Sequence, residues 1–266
     1  MCILPDKRRF APLRRDAAAL LAGGLLCCLP GSIAAADCPI QWGTVLIVPA
    51  DCTYVVTGTV ACEYVYVSKD GILELAAGAE LRVKYELVID PDGVFRFNAD
   101  DGQMQPTLRA TGPLEISGAI TVTDPADGDG GAGGQIAMDI SGSWVVLGAD
   151  GLITSDAGPL DITADIKNNG VIRGTGDTAG KRIRITGAIL AQSHGRFEVA
   201  DHDNAKITFA IGSGATITGG AHFDVRAGSL EFYDSVSTDG GVRILSGMIL
   251  VGAGSTFQAT GPFVEP

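Results

Sequence analysis

The chain of 266 residues carries 31 acidic and 19 basic side chains, 37 glycines and 12 prolines, and 46% of its residues are hydrophobic. This composition is too apolar for a disordered acidic tail and does not match a collagen. The formal net charge of −12 at pH 7 repels phosphate backbones and anionic lipid surfaces, so we expect neither nucleic acid nor a membrane surface as a partner.

Residues 1–36 have the pattern of a secretory signal peptide. A segment with five Lys and Arg residues precedes an apolar run at 17–29, which ends before an A-x-A cleavage site. The run is too short to span a bilayer comfortably, and no later apolar run is long enough, so we expect no stable membrane insertion after cleavage. The mature chain is predicted to begin at Asp37 and to be secreted, periplasmic or exposed at the cell surface. Arg14 and Arg15 leave the twin-arginine route open.

Three cysteines, Cys38, Cys52 and Cys62, lie near the start of the predicted mature chain. An oxidising compartment favours one disulfide among them, and the sequence does not choose among the three pairings. A catalytic or metal-binding thiolate is disfavoured, since the first histidine of the chain is the distant His194. We therefore expect residues 37–62 to form a cysteine-bearing cap and the first coil of the fold.

Short runs of alternating apolar and polar residues follow, and they are rich in β-branched side chains. Examples are residues 44–48, 64–67 and 72–75, with turns at Asp70-Gly71 and Asp92-Gly93. A helical period is almost missing from the mature chain, which predicts an all-β fold.

An acidic, glycine-rich segment interrupts these runs near the middle of the chain. Its alternate carboxylates, Asp124, Asp127 and Asp129, make a candidate calcium loop. The segment lacks the glutamate that closes an EF-hand and does not match the calcium-binding nonapeptide, so a solvated loop is the favoured interpretation.

From about Gln135 the chain divides into repeating units that each begin with an alternating strand. The unit starts are about 17 to 24 residues apart, which suits the rungs of a parallel β-solenoid with coils of about 20 residues. One set of side chains would fill the coil while the intervening polar residues face water. We predict this single-stranded parallel β-helix over residues 63–256. The strands that open the units are 135–140, 159–163, 181–186, 204–209, 221–225 and 241–245.

An antiparallel sandwich is the competing all-β fold. About 230 residues would hold two sandwiches with a linker between them, and the composition shows no such break. The connections are also dominated by glycine beside a strand, as at Gly118, Gly187 and Gly247, and not by two-residue hairpin turns.

The stretch 127–136, with its run of glycines and the Gly-X-Ile segments after it, resembles the glycine-rich coils of exported bacterial surface proteins. These are the filamentous-haemagglutinin and autotransporter-passenger proteins. Residues 44–83 are similar to the opening coils of secreted parallel β-helix proteins. The resemblance implies a β-solenoid at the bacterial surface.

Few sequence patterns indicate catalysis, and no nucleophile-elbow, zincin or phosphate-loop motif is present. Parallel β-helices nevertheless often carry polysaccharide lyases. Lys181, Arg182 and Arg184 form a basic alternating strand that could meet an anionic sugar, although an ordinary exposed strand face fits equally well. An enzyme is therefore disfavoured but left open.

Three further features have ordinary structural interpretations. Residues 201–204 favour a turn between coils over a ligand cluster. Trp42 and Trp144 favour the core or a coil end over a sugar-stacking platform. Thr-x-Thr pairs at 121–123 and 216–218 do not recur in the coils between them, which disfavours an ice-binding ladder.

The sequence thus predicts an exported β-solenoid with a structural or adhesin-like role at the bacterial surface or in the extracellular matrix. A polysaccharide-binding or lyase-type protein is the alternative. We expect a polysaccharide or a surface protein as partner, no cofactor other than the candidate calcium, and self-association through open coil ends. Residues 257–266, with two prolines, are expected to form a C-terminal cap or tail.

Overall fold

The structure, a computed structural model, describes residues 40–42, 44–98, 105–123, 136–155, 159–175, 182–192, 194–200, 203, 205–209 and 217–264. All of them belong to one compact unit, Cys38–Pro266. The expected signal peptide and the acidic segment with Asp124, Asp127 and Asp129 lie outside the described residues.

The described residues form 26 β-strands. The first half of the chain contains β1 (Ile40–Trp42), β2 (Val45–Val48), β3 (Thr53–Val56), β4 (Thr59–Val67), β5 (Ile72–Leu75), β6 (Glu80–Ile89), β7 (Val94–Asn98), β8 (Thr107–Ala110), β9 (Leu114–Ile116), β10 (Ala119–Thr123) and β11 (Ile136–Leu147). The second half contains β12 (Leu152–Ser155), β13 (Leu160–Asn168), β14 (Val171–Gly174), β15 (Ile183–Thr186), β16 (Ile189–Ala191), β17 (Arg196–Val199), β18 (Lys206–Phe209), β19 (Ile217–Gly219), β20 (His222–Val225), β21 (Ser229–Phe232), β22 (Val236–Thr238), β23 (Val242–Ile244), β24 (Met248–Val251), β25 (Phe257–Ala259) and β26 (Phe263–Val264).

The strands build a parallel β-solenoid, which confirms the predicted fold class. Sheet A has 14 strands, sheet B has 10, and β22 pairs with β25 in a small third sheet. Among the described pairs, β1 and β2 run antiparallel, and the others are parallel. The chain passes from sheet A to sheet B and back, and each strand stacks on its equivalent in the next coil.

Coil length varies more than the sequence repeat suggests. In sheet B, Ile153 pairs in register with Ile172, 19 residues on, whereas Ile120 pairs with Ile153, 33 residues on. In the longer coil, β10 of sheet B ends at Thr123 and β11 of sheet A begins at Ile136, and the acidic segment lies between them in the sequence. Extra residues are therefore accommodated at the passage from sheet B to sheet A, while the stacked strands keep their register.

The interior is a continuous apolar column produced by the alternation of each strand. In sheet B, one inward-facing row passes through successive coils, and each of its members is buried. The row consists of Leu73, Phe95, Ile120, Ile153, Ile172, Phe197, Phe223 and Val242. Toward the C-terminal end aromatic rings dominate, with Phe209 stacked on Phe232 at 4.8 Å between ring centroids. Burial of such side chains is the main favourable contribution to folding.

A row of buried glycines forms the corner where sheet A passes into sheet B. Gly93 and Gly118 each precede a strand of sheet B, and Ala119 N–H donates to the Gly93 carbonyl at 2.9 Å. A Cβ atom on Gly118 would lie 2.2 Å from that carbonyl oxygen, closer than any side chain allows. The repeated glycine before a strand therefore has a steric cause: the backbones of successive coils touch at this corner.

The last coil differs from the others on its outward side. Leu250 is 45% exposed and continues a row that holds Thr208 and Glu231 in the two preceding coils. Met248, on the same strand, is 54% exposed. Strand β24 is thus apolar on both faces and lies at the end of sheet A. The segment 257–266, predicted to be a cap or tail, contributes two more strands in parallel register, β25 and β26.

No helix in the described part of the chain has the length and apolar character needed to cross a membrane.

Candidate functional site

The outward face of sheet A carries an aromatic strip, which we define as Tyr64, Tyr66, Tyr85 and Trp144. In β4, Val65 and Val67 point into the core, so the alternating Tyr64 and Tyr66 point outward. Tyr85 lies on β6, where the register shifts between β4 and β6. Trp144 lies on β11, three coils along sheet A from Tyr64, which corresponds to about 14 Å at the usual strand spacing.

The rings of the strip are partly open to solvent. Tyr85 is 42% exposed, and Tyr64, Tyr66 and Trp144 are half-buried. The ring centroids of Tyr64 and Tyr85 are 5.3 Å apart with a tilt of 41°. Cation–π contacts with lysines hold two rings in place: Lys84 Nζ lies 4.6 Å from the centroid of Tyr85, and Lys167 Nζ lies 4.8 Å from that of Trp144.

Aliphatic side chains extend the strip along the solenoid. Tyr66 belongs to an outward row that continues in register through Val88, Glu115, Val146, Lys167 and Leu190. Leu190 is 41% exposed, and Val88 and Val146 are half-buried. An outward row of this kind presents a long, flat surface of mixed apolar and polar character.

The charges beside the strip are more often negative than positive. Glu63 accepts a hydrogen bond from the Thr44 hydroxyl at 2.8 Å and lies 3.8 Å from Lys84 Nζ. Burial and then the nearby carboxylate of Glu86 raise the pKa of Tyr66, so its phenol stays protonated at neutral pH. A protonated phenol can both donate and accept hydrogen bonds to the hydroxyl groups of a ligand.

A second polar cluster occupies the outward face of sheet B. We call Arg173, Arg196, Arg226 and Arg243 the arginine ring, because they surround two carboxylates. At its centre, Glu198 on β17 pairs in register with Asp224 on β20.

Both central carboxylates are buried beneath the arginines. The side chain of Glu198 is 1% exposed and that of Asp224 is 8% exposed. Burial alone would raise the pKa of Glu198, but hydrogen bonds from Arg196 and Arg173 hold it below its ordinary value. Burial acts against Asp224 in the same way, and Arg243 and Arg226 lower its pKa. Both groups are therefore ionised at neutral pH.

Hydrogen bonds and ion pairs join the ring into one network. Arg173 Nε donates to Glu198 Oε2 at 2.8 Å, and Arg196 donates to the other oxygen of Glu198 at 3.0 Å. Arg226 bridges the two acids, with its terminal nitrogen 3.0 Å from Asp224 Oδ2 and 4.0 Å from Glu198 Oε1. Arg243 completes the network through Nε, which donates to Asp224 Oδ1 at 3.0 Å.

The candidate calcium ligands are not tested by the structure. Asp124, Asp127 and Asp129 lie outside the described residues, and their role stays a prediction. Within the residues that are described, no group of three His, Cys, Asp or Glu side chains is placed to hold a metal ion. In the predicted turn at 201–204, only Asp203 is described, and it is exposed in a turn.

The predicted basic strand lies on sheet A beside a carboxylate. Lys181 is outside the described residues. Arg184 is exposed on β15 and pairs in register with Asp161. Burial raises the pKa of Asp161, and Arg182 and Arg184 oppose that shift. Both arginines thus act on a nearby carboxylate, and they do not form an isolated basic face.

Two of the cysteines are described. Cys52 is disulfide-bonded, whereas Cys62 is a free thiol buried in the core, where burial raises its pKa. Cys38 lies outside the described residues.

The core interpretation of Trp144 is wrong. Nothing aromatic lies beside this residue in the sequence, which favours the core or a coil end. It is instead half-buried on the outward face, beneath the Lys167 ammonium. The side chain of Trp42 is not among those that the structure describes. The tyrosines of the strip were missed, although the pattern Tyr64-Val65-Tyr66-Val67 carried a signal, because it places two tyrosines on the face opposite two buried valines.

Comparison with known proteins gives no match to a family model, a curated protein or a solved structure.

Proposed function

We propose that this protein is an exported, adhesin-like β-solenoid that binds a neutral polysaccharide along the aromatic strip of sheet A. The observation that carries the proposal is the placement of Tyr64, Tyr66, Tyr85 and Trp144 on one outward face with their rings partly open. Aromatic rings supply flat apolar area with a polar edge, which suits the alternating C–H and hydroxyl faces of a sugar ring.

The charges of the strip favour a neutral polymer over an acidic one. Glu63, Glu86 and Glu115 lie close to the tyrosines, and Lys84 and Lys167 are engaged with rings. A uronate or sulfate group would meet these carboxylates at short range, where like charges repel.

Stacked coils supply the stiffness that such binding needs. The strands of sheet A repeat every coil, so weak contacts with successive sugar residues add along one rigid surface. A binding surface of this type fits a structural or adhesive role at the bacterial surface or in the matrix.

Export is part of the same proposal. The signal-peptide pattern of residues 1–36 and the disulfide of Cys52 both support an oxidising compartment. Since Cys62 is a free thiol, we propose that Cys38 is the partner of Cys52 in the mature chain. This bond would tie the start of the mature chain to the first coil.

The test uses the full mature chain and soluble neutral glucans, such as hydroxyethyl cellulose and laminarin, in affinity gel electrophoresis. We expect at least one glucan to retard the wild type, and Tyr85→Ala or Trp144→Ala to weaken this binding by about fivefold to tenfold. Tyr233→Ala is the matched control, because Tyr233 is 40% exposed directly after β21 of sheet A and lies outside the strip.

Two results would contradict the proposal: no retardation by any neutral glucan, or equal loss in Tyr233→Ala and Tyr85→Ala. An assay for new reducing or unsaturated ends on the same glucans distinguishes a binder from the alternative, a polysaccharide-degrading enzyme. We expect no new ends.

A further inference from the structure

The arginine ring of sheet B contains more positive charge than its two buried acids need. Two arginines would neutralise Glu198 and Asp224, and the structure places four around them. Among the described residues, the cluster therefore has an excess of two positive charges, on a protein whose formal net charge is −12. Because like charges repel, crowding two additional guanidinium groups into one network is unfavourable unless they have a further partner.

The arginines also keep hydrogen-bonding capacity for such a partner. A guanidinium group has five N–H donors, and in the described part of the chain the carboxylates take no more than two from any one arginine. The four side chains are 38% to 50% exposed. Their inner edges are held by the buried acids, and their outer edges face solvent.

The geometry of the ring is preorganised and extended along the solenoid. Arg173, Glu198, Asp224 and Arg243 form one row in register on four successive strands, so Arg173 and Arg243 are about 14 Å apart at the usual strand spacing. Arg196 and Arg226 flank this row, one on each side. Anchored guanidinium groups lose little side-chain entropy when they bind two oxygen atoms of one anionic group through two N–H donors.

We propose that the arginine ring is a second binding site, specific for the carboxylate or sulfate groups of an acidic polysaccharide. One coil rises by about 4.8 Å, close to the length of one sugar residue, so a chain lying along the solenoid axis brings successive acidic groups to successive arginines. The acidic remainder of the surface opposes the dense charge of a nucleic acid more strongly than the sparser charge of a polyuronate. The site lies on sheet B and is independent of the aromatic strip.

The experiment titrates the full mature chain with sodium alginate, a carboxylated polymer, and with heparin, a sulfated one, in isothermal titration calorimetry. We expect at least one of the two polymers to bind, with an affinity that falls as salt is raised. The two polymers separate carboxylate from sulfate as the preferred group.

Charge-preserving and charge-removing variants test the location. Arg196→Gln and Arg226→Gln together are expected to weaken binding by about tenfold or more, and Arg196→Lys with Arg226→Lys to weaken it less. Arg184→Gln is the matched control, because it removes an exposed arginine from sheet A. Circular dichroism reports folding, and retention of neutral-glucan binding separates this proposal from the one for the strip.

The proposal is overturned if the wild type binds neither alginate nor heparin, or if Arg184→Gln loses as much affinity as the double glutamine variant. If the double glutamine variant does not fold, the double lysine variant decides the test. The proposal is then contradicted if the double lysine variant binds as tightly as the wild type at all salt concentrations while Arg184→Gln loses affinity.

Discussion

Glu198 and Asp224 are stacked in register on neighbouring strands, so two ionised carboxylates lie one coil apart on the same face of sheet B. At this separation the repulsion between two unit charges is about 3 kcal/mol for an effective dielectric constant near 20. Attraction between the arginine ring and the two carboxylates offsets this repulsion. The stability of these coils therefore depends on arginine–carboxylate contacts.

We expect Glu198→Gln to lower the free energy of unfolding by about 2 kcal/mol at pH 7, because the variant loses charge-assisted hydrogen bonds with Arg173 and Arg196. The folded-state pKa of Glu198 lies below its ordinary value. Its contribution is therefore complete above the ordinary pKa of about 4.3 and is lost as the pH falls toward the lower folded-state pKa. The wild type should lose more stability than the variant over this range.

Urea denaturation at pH 7 and at a series of pH values below 5 measures this difference. Glu80→Gln is the control, since Glu80 also pairs with two arginines, Arg82 and Arg109, but its side chain is 19% exposed against 1% for Glu198. We expect a much smaller change there. Curves for wild type and Glu198→Gln that stay parallel from pH 7 to pH 3 would contradict the proposed role of the network.

The corner glycines provide a second prediction. Gly118→Ala is expected to destabilise the fold by more than about 3 kcal/mol, because its Cβ would lie 2.2 Å from the Gly93 carbonyl oxygen and the two coils would have to separate. Gly58→Ala is the control: its φ is +80°, but a Cβ there meets nothing within 4 Å. The cost at Gly58 should be limited to about 1 kcal/mol of backbone strain.

Thermal unfolding followed by circular dichroism compares the two alanine variants. If Gly118→Ala melts at the same temperature as Gly58→Ala, close contact between coils is not the reason for glycine at this corner.

Self-association is expected at the last coil. Strand β24 ends sheet A, and its outward residues Met248 and Leu250 are exposed. An apolar edge strand without charges is a template for pairing with another strand, so we expect two copies to pair through β24. Leu250→Lys should shift the equilibrium toward the monomer by about tenfold or more.

Sedimentation velocity at several protein concentrations tests this pairing. Val55→Lys is the control. Val55 is 42% exposed on β3, which ends sheet B near the start of the solenoid, far along the chain from β24. A wild-type chain that stays monomeric at all concentrations, or one that is equally affected by both substitutions, would contradict pairing through β24.

The sequence predicts the coils because alternation and glycine spacing are local consequences of the fold. Each inward residue of β5, β7 or β10 is apolar for the same reason, and each corner glycine has the same steric cause. These patterns can be recognised without knowing which strands are neighbours. The lengths of individual coils are harder to predict, since segments such as 124–135 add residues without changing the register.

The candidate surfaces depend on neighbours that the sequence does not reveal. Trp144 has no aromatic residue beside it along the chain, and it joins the tyrosines only through stacking across three coils. Glu198 and Asp224 are 26 residues apart in sequence and adjacent in space. Charges and rings from different coils thus become one surface only when the register is known, which is why the sequence pointed to Arg182 and Arg184 and not to the arginine ring.

The strictly sequential stacking of the coils also has a mechanical consequence. Pulling on the two ends would load the terminal coils first, because each coil is held mainly by the coils on either side of it. Rupture should then proceed from an end, with each event releasing one coil of 19 to 33 residues and lengthening the chain by roughly 60 to 120 Å. A solenoid of this kind would extend in small steps under tension, dissipating energy while the remaining coils stay folded.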